Sequence, residues 1–429
     1  MQLPSQIRSV PRRESFRARP RVSHRQPVAC GIARTLVATL AFTALACRPA
    51  AVRTPGPLSF SVAATTADSL RAVLVRALAD SAFPGAVAVA GNHNGVLATV
   101  ALGHLDWAPS ATINDSTLWD LASLTKVIGL TSAIMQLTEA GLIDVDAPVQ
   151  RYLPEWTGPH KDEVTIRHLL THSSGLPAWR ALYKEAHTPD EARVLALVTP
   201  LDTLPGVRMV YSDLGAILLG LIVERTGGEP LDVYLARHVF SPIGMTDTQF
   251  RPPPALWVRV APTEYDPWRQ RHVRGEVHDE NAFALGGVSG HAGLFSSARD
   301  LSRLARLYLN GGVLDSVRLF RPETIARFTA LQDSALSNRA LGWEKPNGRN
   351  SAGHFMSPSA FGHTGFTGTS IWIDPAADAF VILLTNRVNP TRDNSRIGPV
   401  RVQTADAVMG VFERAAAFEH SGRGGSRPH

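Results

Sequence analysis

The chain has 429 residues, 44% of them hydrophobic and 19% charged, with no repeating glycine or proline period, which excludes collagen-like and globally disordered classes and allows a large buried core. The net charge of +6 is uneven: residues 1–46 hold eight arginines and a single acid, Glu14, so this leader carries +7 and the remainder −1. The body therefore has no basic surface of the kind that binds nucleic acid.

In chain order, the first element is an apolar run from Thr35 to Ala46, followed by Cys47. Twelve uncharged residues are too short to span a bilayer but suit the hydrophobic core of an export signal. Ala44 and Ala46 before Cys47 resemble a bacterial lipobox. The reading is an exported protein of the periplasm or cell envelope, with residues 1–46 a signal and Cys47 a lipidation site. Plain export with cleavage near Ala46, or a later true start, are the alternatives. The only membrane contact expected is this anchor. Cys30 and Cys47 are the only cysteines, so the mature body has neither disulfide nor thiol nucleophile.

Residues 47–66 read as a flexible tether, rich in Pro, Ala, Ser and Thr. Asp68 is placed as the cap of a helix through Leu78, with apolar Leu70, Val73, Leu74 and Leu78 at helical spacing. A hairpin follows, Ala86–Ala90 and Val96–Leu102, around a Gly-Asn-His-Asn-Gly turn. Helical signals dominate from about 120 to 310: Ser123–Glu139, Thr165–Leu170, Asp213–Thr226, Leu231–Val239 and Arg299–Leu309. Residues 251–297 read as long loops around a site. Strands return at Ser370–Asp374 and Ala379–Asn386, then a helix over about Val400–Ala415. The fold class is therefore α+β: an antiparallel sheet flanked by helices, built from both chain ends, with an inserted helical lobe at about 120–310. The domain spans 67–416, and 417–429 read as a disordered tail.

Lysine is scarce: Lys126, Lys161, Lys184 and Lys345 are the only four, and every other cationic side chain is arginine. A lysine can be desolvated until it is neutral, and an arginine cannot. Lys126 lies three residues after Ser123, on one helical face. A neutral amine there is a suitable base for a serine hydroxyl. By itself, Ser-x-x-Lys equally describes an amphipathic helix with a snorkelling lysine. Tyr211-Ser212-Asp213 precedes a helix, where Tyr211 could shuttle a proton and Asp213 could simply cap. Gly362-His363-Thr364-Gly365-Phe366-Thr367-Gly368 leads into a strand and lets a ligand lie close to the backbone.

Together these three segments, in this order, resemble the penicillin-recognising serine hydrolases: β-lactamases, D-alanyl-D-alanine carboxypeptidases, and related esterases and D-aminopeptidases. Ile166–Pro177 and Gly286–Phe295 add to the likeness, which covers about residues 67–415. The resemblance implies a β-lactamase/transpeptidase-like fold and an acyl-enzyme. Ser123 would be the nucleophile, Lys126 its base and Tyr211 the proton carrier. The N–H groups of Ser123 and Phe366 would form the oxyanion hole. Asp213, His363, Thr364, Gly365 and Phe366 would surround the substrate. Two departures bear on specificity. His363 stands where the family usually has lysine, so carboxylate anchoring should weaken as the histidine deprotonates near neutral pH. Asp213 stands where it usually has asparagine, and could meet a substrate ammonium. Both suit small esters, D-amino-acid amides or cell-wall peptides, including peptidoglycan fragments, better than penicillins. A D-alanyl-D-alanine carboxypeptidase would need an additional arginine, which the sequence does not locate. A weak β-lactamase and a non-catalytic sensor are the remaining alternatives.

No cofactor is expected. His278, Asp279, Glu280 and His291 lack metal-ligand spacing and read as a polar loop at the pocket rim, and His172 as a turn-stabilising residue.

Overall fold

The computed structural model describes residues 60–423, with side chains for 62–418. The export signal, Cys47 and most of the tether lie outside the described residues. The opening helix runs Phe60–Ala79, so it starts eight residues before the expected cap and Asp68 sits within it.

Five strands form one antiparallel sheet, in the order Phe361–Thr364, Ser370–Asp374, Ala379–Thr385, Gly85–Gly91, Val96–Gly103. The hairpin of the N-terminal part therefore completes a sheet whose other three strands come from the C-terminal part. Alternation explains why both faces are covered. Val87 and Val89, with Phe380, Ile382 and Leu384, point into the core beneath the helical lobe. Ala86, Ala88 and Ala90, with Val381 and Leu383, point the other way, against Leu70, Val73 and Leu74 of the first helix and Val408, Met409 and Phe412 of the last. The small alanines let the terminal helices approach closely. Strands buried on both faces read as continuous apolar runs.

The last helix, Ile397–Arg423, extends beyond the expected Ala415 into the segment read as a tail. The expected single helix over Ser123–Glu139 is broken into a 3-10 turn at Ala122–Leu124, a π-helical turn at Lys126–Leu130 and an α-helix from Thr131 to Glu139. Helices at Pro189–Val198 and Pro322–Thr329 are additional to the sequence reading. Among the described residues, no helix is long and apolar enough to cross a membrane.

Candidate active site

Ser123 is placed by a clamp on the residues before it. Trp119–Asp120 pairs with Leu294–Ser296, and Leu121 N–H donates to the Leu294 carbonyl at 2.9 Å. The buried Asp120 carboxylate accepts from Ala122 N at 2.8 Å and from His278 N at 2.6 Å. Its burial pushes the carboxyl up, against these donors. Ala122 takes φ +47°, a conformation costly for a residue with a Cβ, directly before the serine. The π-helical turn then begins at Lys126. Such turns concentrate at functional positions.

Lys126 is 3% exposed and donates to Ser123 Oγ at 3.1 Å and to the His291 carbonyl at 3.0 Å. Its third contact alters the sequence reading: Nζ lies 2.7 Å from Asp213 Oδ1. Burial pushes the ammonium towards neutrality, but the Asp213 carboxylate foremost, together with the Tyr211 side chain, outweighs it and holds Lys126 well above the ordinary lysine range. The lysine is thus a cation in the free protein, not the neutral amine expected. Asp213 is free for this because Ser212 caps the helix Asp213–Gly227, accepting from Gly215 N at 3.3 Å.

Tyr211 is fixed from three sides. Lys126 Nζ is 5.0 Å from its ring centroid, the His172 ring 4.4 Å and the His363 ring 5.9 Å. Its buried hydroxyl has no hydrogen-bond partner among the described residues. His172 stabilises its turn as expected: it sits at φ +58° and accepts from Ser212 N at 3.1 Å.

The His-Thr-Gly segment is tied to the serine segment. Thr367 Oγ1 donates to Asp120 O at 2.7 Å and Thr369 Oγ1 to Leu121 O at 3.1 Å. A Cβ on Gly365 would lie 2.3 Å from Leu121 O and 2.1 Å from Thr369 Oγ1, so only glycine allows this approach. Thr364 closes the strand beside it, half-buried. Phe366 is 48% exposed, between the His278 ring and the Arg387 guanidinium.

His363 is 3% exposed, and its Nδ1 donates to the Thr364 carbonyl at 2.8 Å. This bond leaves Nε2 as a buried lone pair without a partner. Burial first, then Arg339 and Lys126, push the imidazole well below its ordinary value. His363 is therefore neutral near pH 7, and the expected titrating anchor is corrected: a neutral acceptor does not hold a carboxylate.

One arginine that the sequence reading did not locate, Arg339, also lies beside these residues. It is 8% exposed, its carbon lies 5.2 Å from the Tyr211 ring centroid, and it makes no salt bridge among the described residues. Its Nε and Nη1 are buried without acceptors. A bridge from Arg339 to Glu344, and from Glu344 to Gly362, sets it beside the strand of His363. Twenty-four residues separate it from His363, so only the sheet edge reveals it.

The loop expected at the pocket rim is instead largely interior. His278 and His291 are 4% and 1% exposed. His291 bonds Ser289 Oγ through Nδ1 at 2.7 Å and Asp279 through Nε2 at 2.8 Å, and its carbonyl backs Lys126. His278 Nε2 meets Glu264 at 2.8 Å, and Arg392 Nε meets the same carboxylate at 2.6 Å. Burial pushes Glu264 up, but these two partners bring it down to about 2. The signal in the sequence was the glycine density: a Cβ on Gly290 would lie 2.2 Å from Ala216 O.

Residues 70–406 match the family described as Beta-lactamase. The chain is 35% identical over 304 residues to a protein of Escherichia coli (strain K12) named "Putative D-alanyl-D-alanine carboxypeptidase", covering 63% of this chain and 69% of that one. It is 35% identical over 347 residues to the N-acetylmuramyl-L-alanine amidase of Bacillus subtilis (strain 168), covering 71% and 77%. Among solved structures, EstCE1, a hydrolase with promiscuous acyltransferase activity, superposes with TM-score 0.67 at 23% identity, over 82% of this chain and 100% of that one. A penicillin-binding protein homologue from Caulobacter crescentus gives 0.66 at 20% identity, over 81% and 97%. These structures share the fold, and the family match together with the closer relatives settles the rest: the chain belongs to the beta-lactamase family and is a serine hydrolase.

Proposed function

We propose that the protein is an exported hydrolase of small cell-wall peptides, cleaving an amide or ester whose leaving group carries a carboxylate. The observation that carries this reading is Arg339, a buried guanidinium with two unpartnered nitrogens beside Tyr211 and His363. A guanidinium is charged throughout the pH range in which proteins fold, and matches a carboxylate with two parallel bonds. A buried cation left unpaired is costly unless a ligand completes it. The names of the two relatives, "Putative D-alanyl-D-alanine carboxypeptidase" and "N-acetylmuramyl-L-alanine amidase", support the same class.

In this reading Ser123 Oγ attacks the carbonyl carbon, and the oxyanion is held by the N–H groups of Ser123 and Phe366. Lys126 can take the serine proton only after passing its own to Asp213, 2.7 Å away. A bound substrate that excludes water favours this neutral arrangement over the ion pair. Tyr211 delivers its hydroxyl proton to the departing amine or alkoxide as the C–N or C–O bond breaks and regains one from Lys126, which carries the serine proton; water then hydrolyses the acyl-enzyme by the reverse route. His363 offers Nε2 as an acceptor to a donor group, and Thr364 and Gly365 line the strand edge.

The test compares a D-alanyl-D-alanine peptide with its C-terminal amide. The free carboxylate should be preferred by about a hundredfold in kcat/KM, and Arg339→Met should erase the preference. KM for the acid should be flat between pH 5 and 8, since His363 is already neutral there and the anchoring cation is a guanidinium. A rise in that window would return the anchor to His363, and equal rates on acid and amide would overturn the reading. A fluorophosphonate probe should label the wild type and leave Ser123→Ala unlabelled.

A further inference from the structure

Four aromatic side chains form a continuous strip: Trp179, Tyr183, Trp268 and Phe283, with successive centroids 6.3, 4.8 and 5.9 Å apart. The two indoles are 48% and 43% exposed. The strip is joined to the site at both ends. Ala178, next to Trp179, accepts from Asp213 N at 3.0 Å. Phe283 sits on the helix Glu280–Ala284, whose cap Asp279 holds His291 behind Lys126. Buried Asn281 staples the two sides, accepting from Tyr183 N at 3.1 Å and donating to Arg180 O at 2.8 Å. The backbone under Trp268 is equally fixed: Arg269 pairs with Asp266 and donates to the Val277 and His278 carbonyls, each at 2.7 Å. The rings are thus held in place before any ligand arrives.

We propose that this strip is a carbohydrate subsite, stacking a pyranose ring of a glycopeptide whose peptide portion occupies the Ser123 cleft. The proposal rests on the peptide reading above. A pyranose presents one face of C–H bonds, whose partial positive charge suits the negative face of an indole, and a rim of hydroxyl and acetamido groups. The strip supplies both parts. The indole N–H groups of Trp179 and Trp268 donate to no acceptor among the described residues, and Lys184 and Arg271 stand at its edges, their charges 5.8 Å from the Tyr183 and Phe283 centroids. An acyl chain instead favours an enclosed apolar channel, whereas the two indoles are exposed and the strip is flanked by cations.

The direct probe is tri-N-acetylchitotriose added to full-length Ser123→Ala, followed by tryptophan fluorescence. Saturable quenching is expected, and Trp179→Ala or Trp268→Ala should weaken binding about tenfold each. No saturable change, or unaltered binding in both variants, would overturn the proposal. With turnover, an N-acetylmuramyl-peptide is compared with the same peptide N-acetylated in place of the sugar. The two tryptophan variants should raise KM only for the sugar-bearing substrate. An equal rise for both, or a rise only for long-chain p-nitrophenyl esters, would mark an apolar subsite and refute the carbohydrate one. If neither peptide is cleaved while chitotriose still binds through the tryptophans, the peptide reading fails and the subsite stands.

Discussion

Asp213→Asn separates the charge of Lys126 from its geometry. The asparagine keeps the size and the acceptor oxygen but removes the carboxylate 2.7 Å from Nζ. At that distance, with an effective dielectric near 20, the lost attraction is about 6 kcal/mol. Burial, the largest influence on Lys126 and the one that favours the neutral amine, then faces only Tyr211. In the wild type the active form keeps one proton shared between Lys126 and Asp213, so kcat/KM should be flat across pH 6–8. In the variant the lysine must lose its proton to solvent. An acid limb should therefore appear below the ordinary lysine value of about 10.4, with activity falling tenfold per pH unit down to pH 6. The assay is kcat/KM for a neutral p-nitrophenyl ester from pH 6 to 10. Stability provides a second readout. A buried lysine with a depressed pKa binds its proton more weakly in the folded state than in the unfolded one, so the melting temperature of the variant should drop further below the wild type as pH falls. A profile superimposable on the wild type would show that the Asp213 charge does not govern Lys126, and would refute the proton route.

Two further substitutions test the frame. Gly365→Ala drives a methyl group into Leu121 O and Thr369 Oγ1, so it should cost about 1–3 kcal/mol of stability and lower kcat at least tenfold by displacing the residues before Ser123. An active variant of unchanged melting temperature would show that the two segments can separate freely. Glu264→Gln removes a carboxylate held down at about 2 by His278 and Arg392. A depressed carboxyl contributes stability above its unfolded value, lost as pH falls through the folded one, so the wild type should lose up to roughly 3 kcal/mol between pH 4.5 and 2. The variant should be less stable at pH 7 and show a shallower decline over that interval, monitored by circular dichroism; a decline as steep as the wild type's would place the acid sensitivity elsewhere.

The pattern of residues along the chain was sufficient for four of the five strands and marked three segments that the fold brings together, but Phe361–Thr364 read as a glycine-rich lead-in rather than as the edge strand it forms. Val87, Ala88 and Val89, and again Val381, Ile382 and Leu383, are all buried, so these strands stand out as apolar runs, and the pleat sends successive side chains into the two cores on either face of the sheet. Ser123 and Lys126 are three residues apart, so any helical turn brings them to one face. The glycines around His363 marked a close approach that the strand then makes to Leu121. What the tertiary structure decided was charge. Lys126 is a cation because Asp213, eighty-seven positions later, is pointed at it by a cap that Ser212 provides in its stead. His363 is neutral because it is buried beside Arg339, and Arg339 reaches the site only through the pairing of Glu344 with Gly362 at the sheet edge. Protonation depends on desolvation and on opposite charges within a few ångströms, whatever their distance in sequence. The serine–lysine pair was therefore legible from spacing alone, but the protonation state in which it works was set by the packing around it.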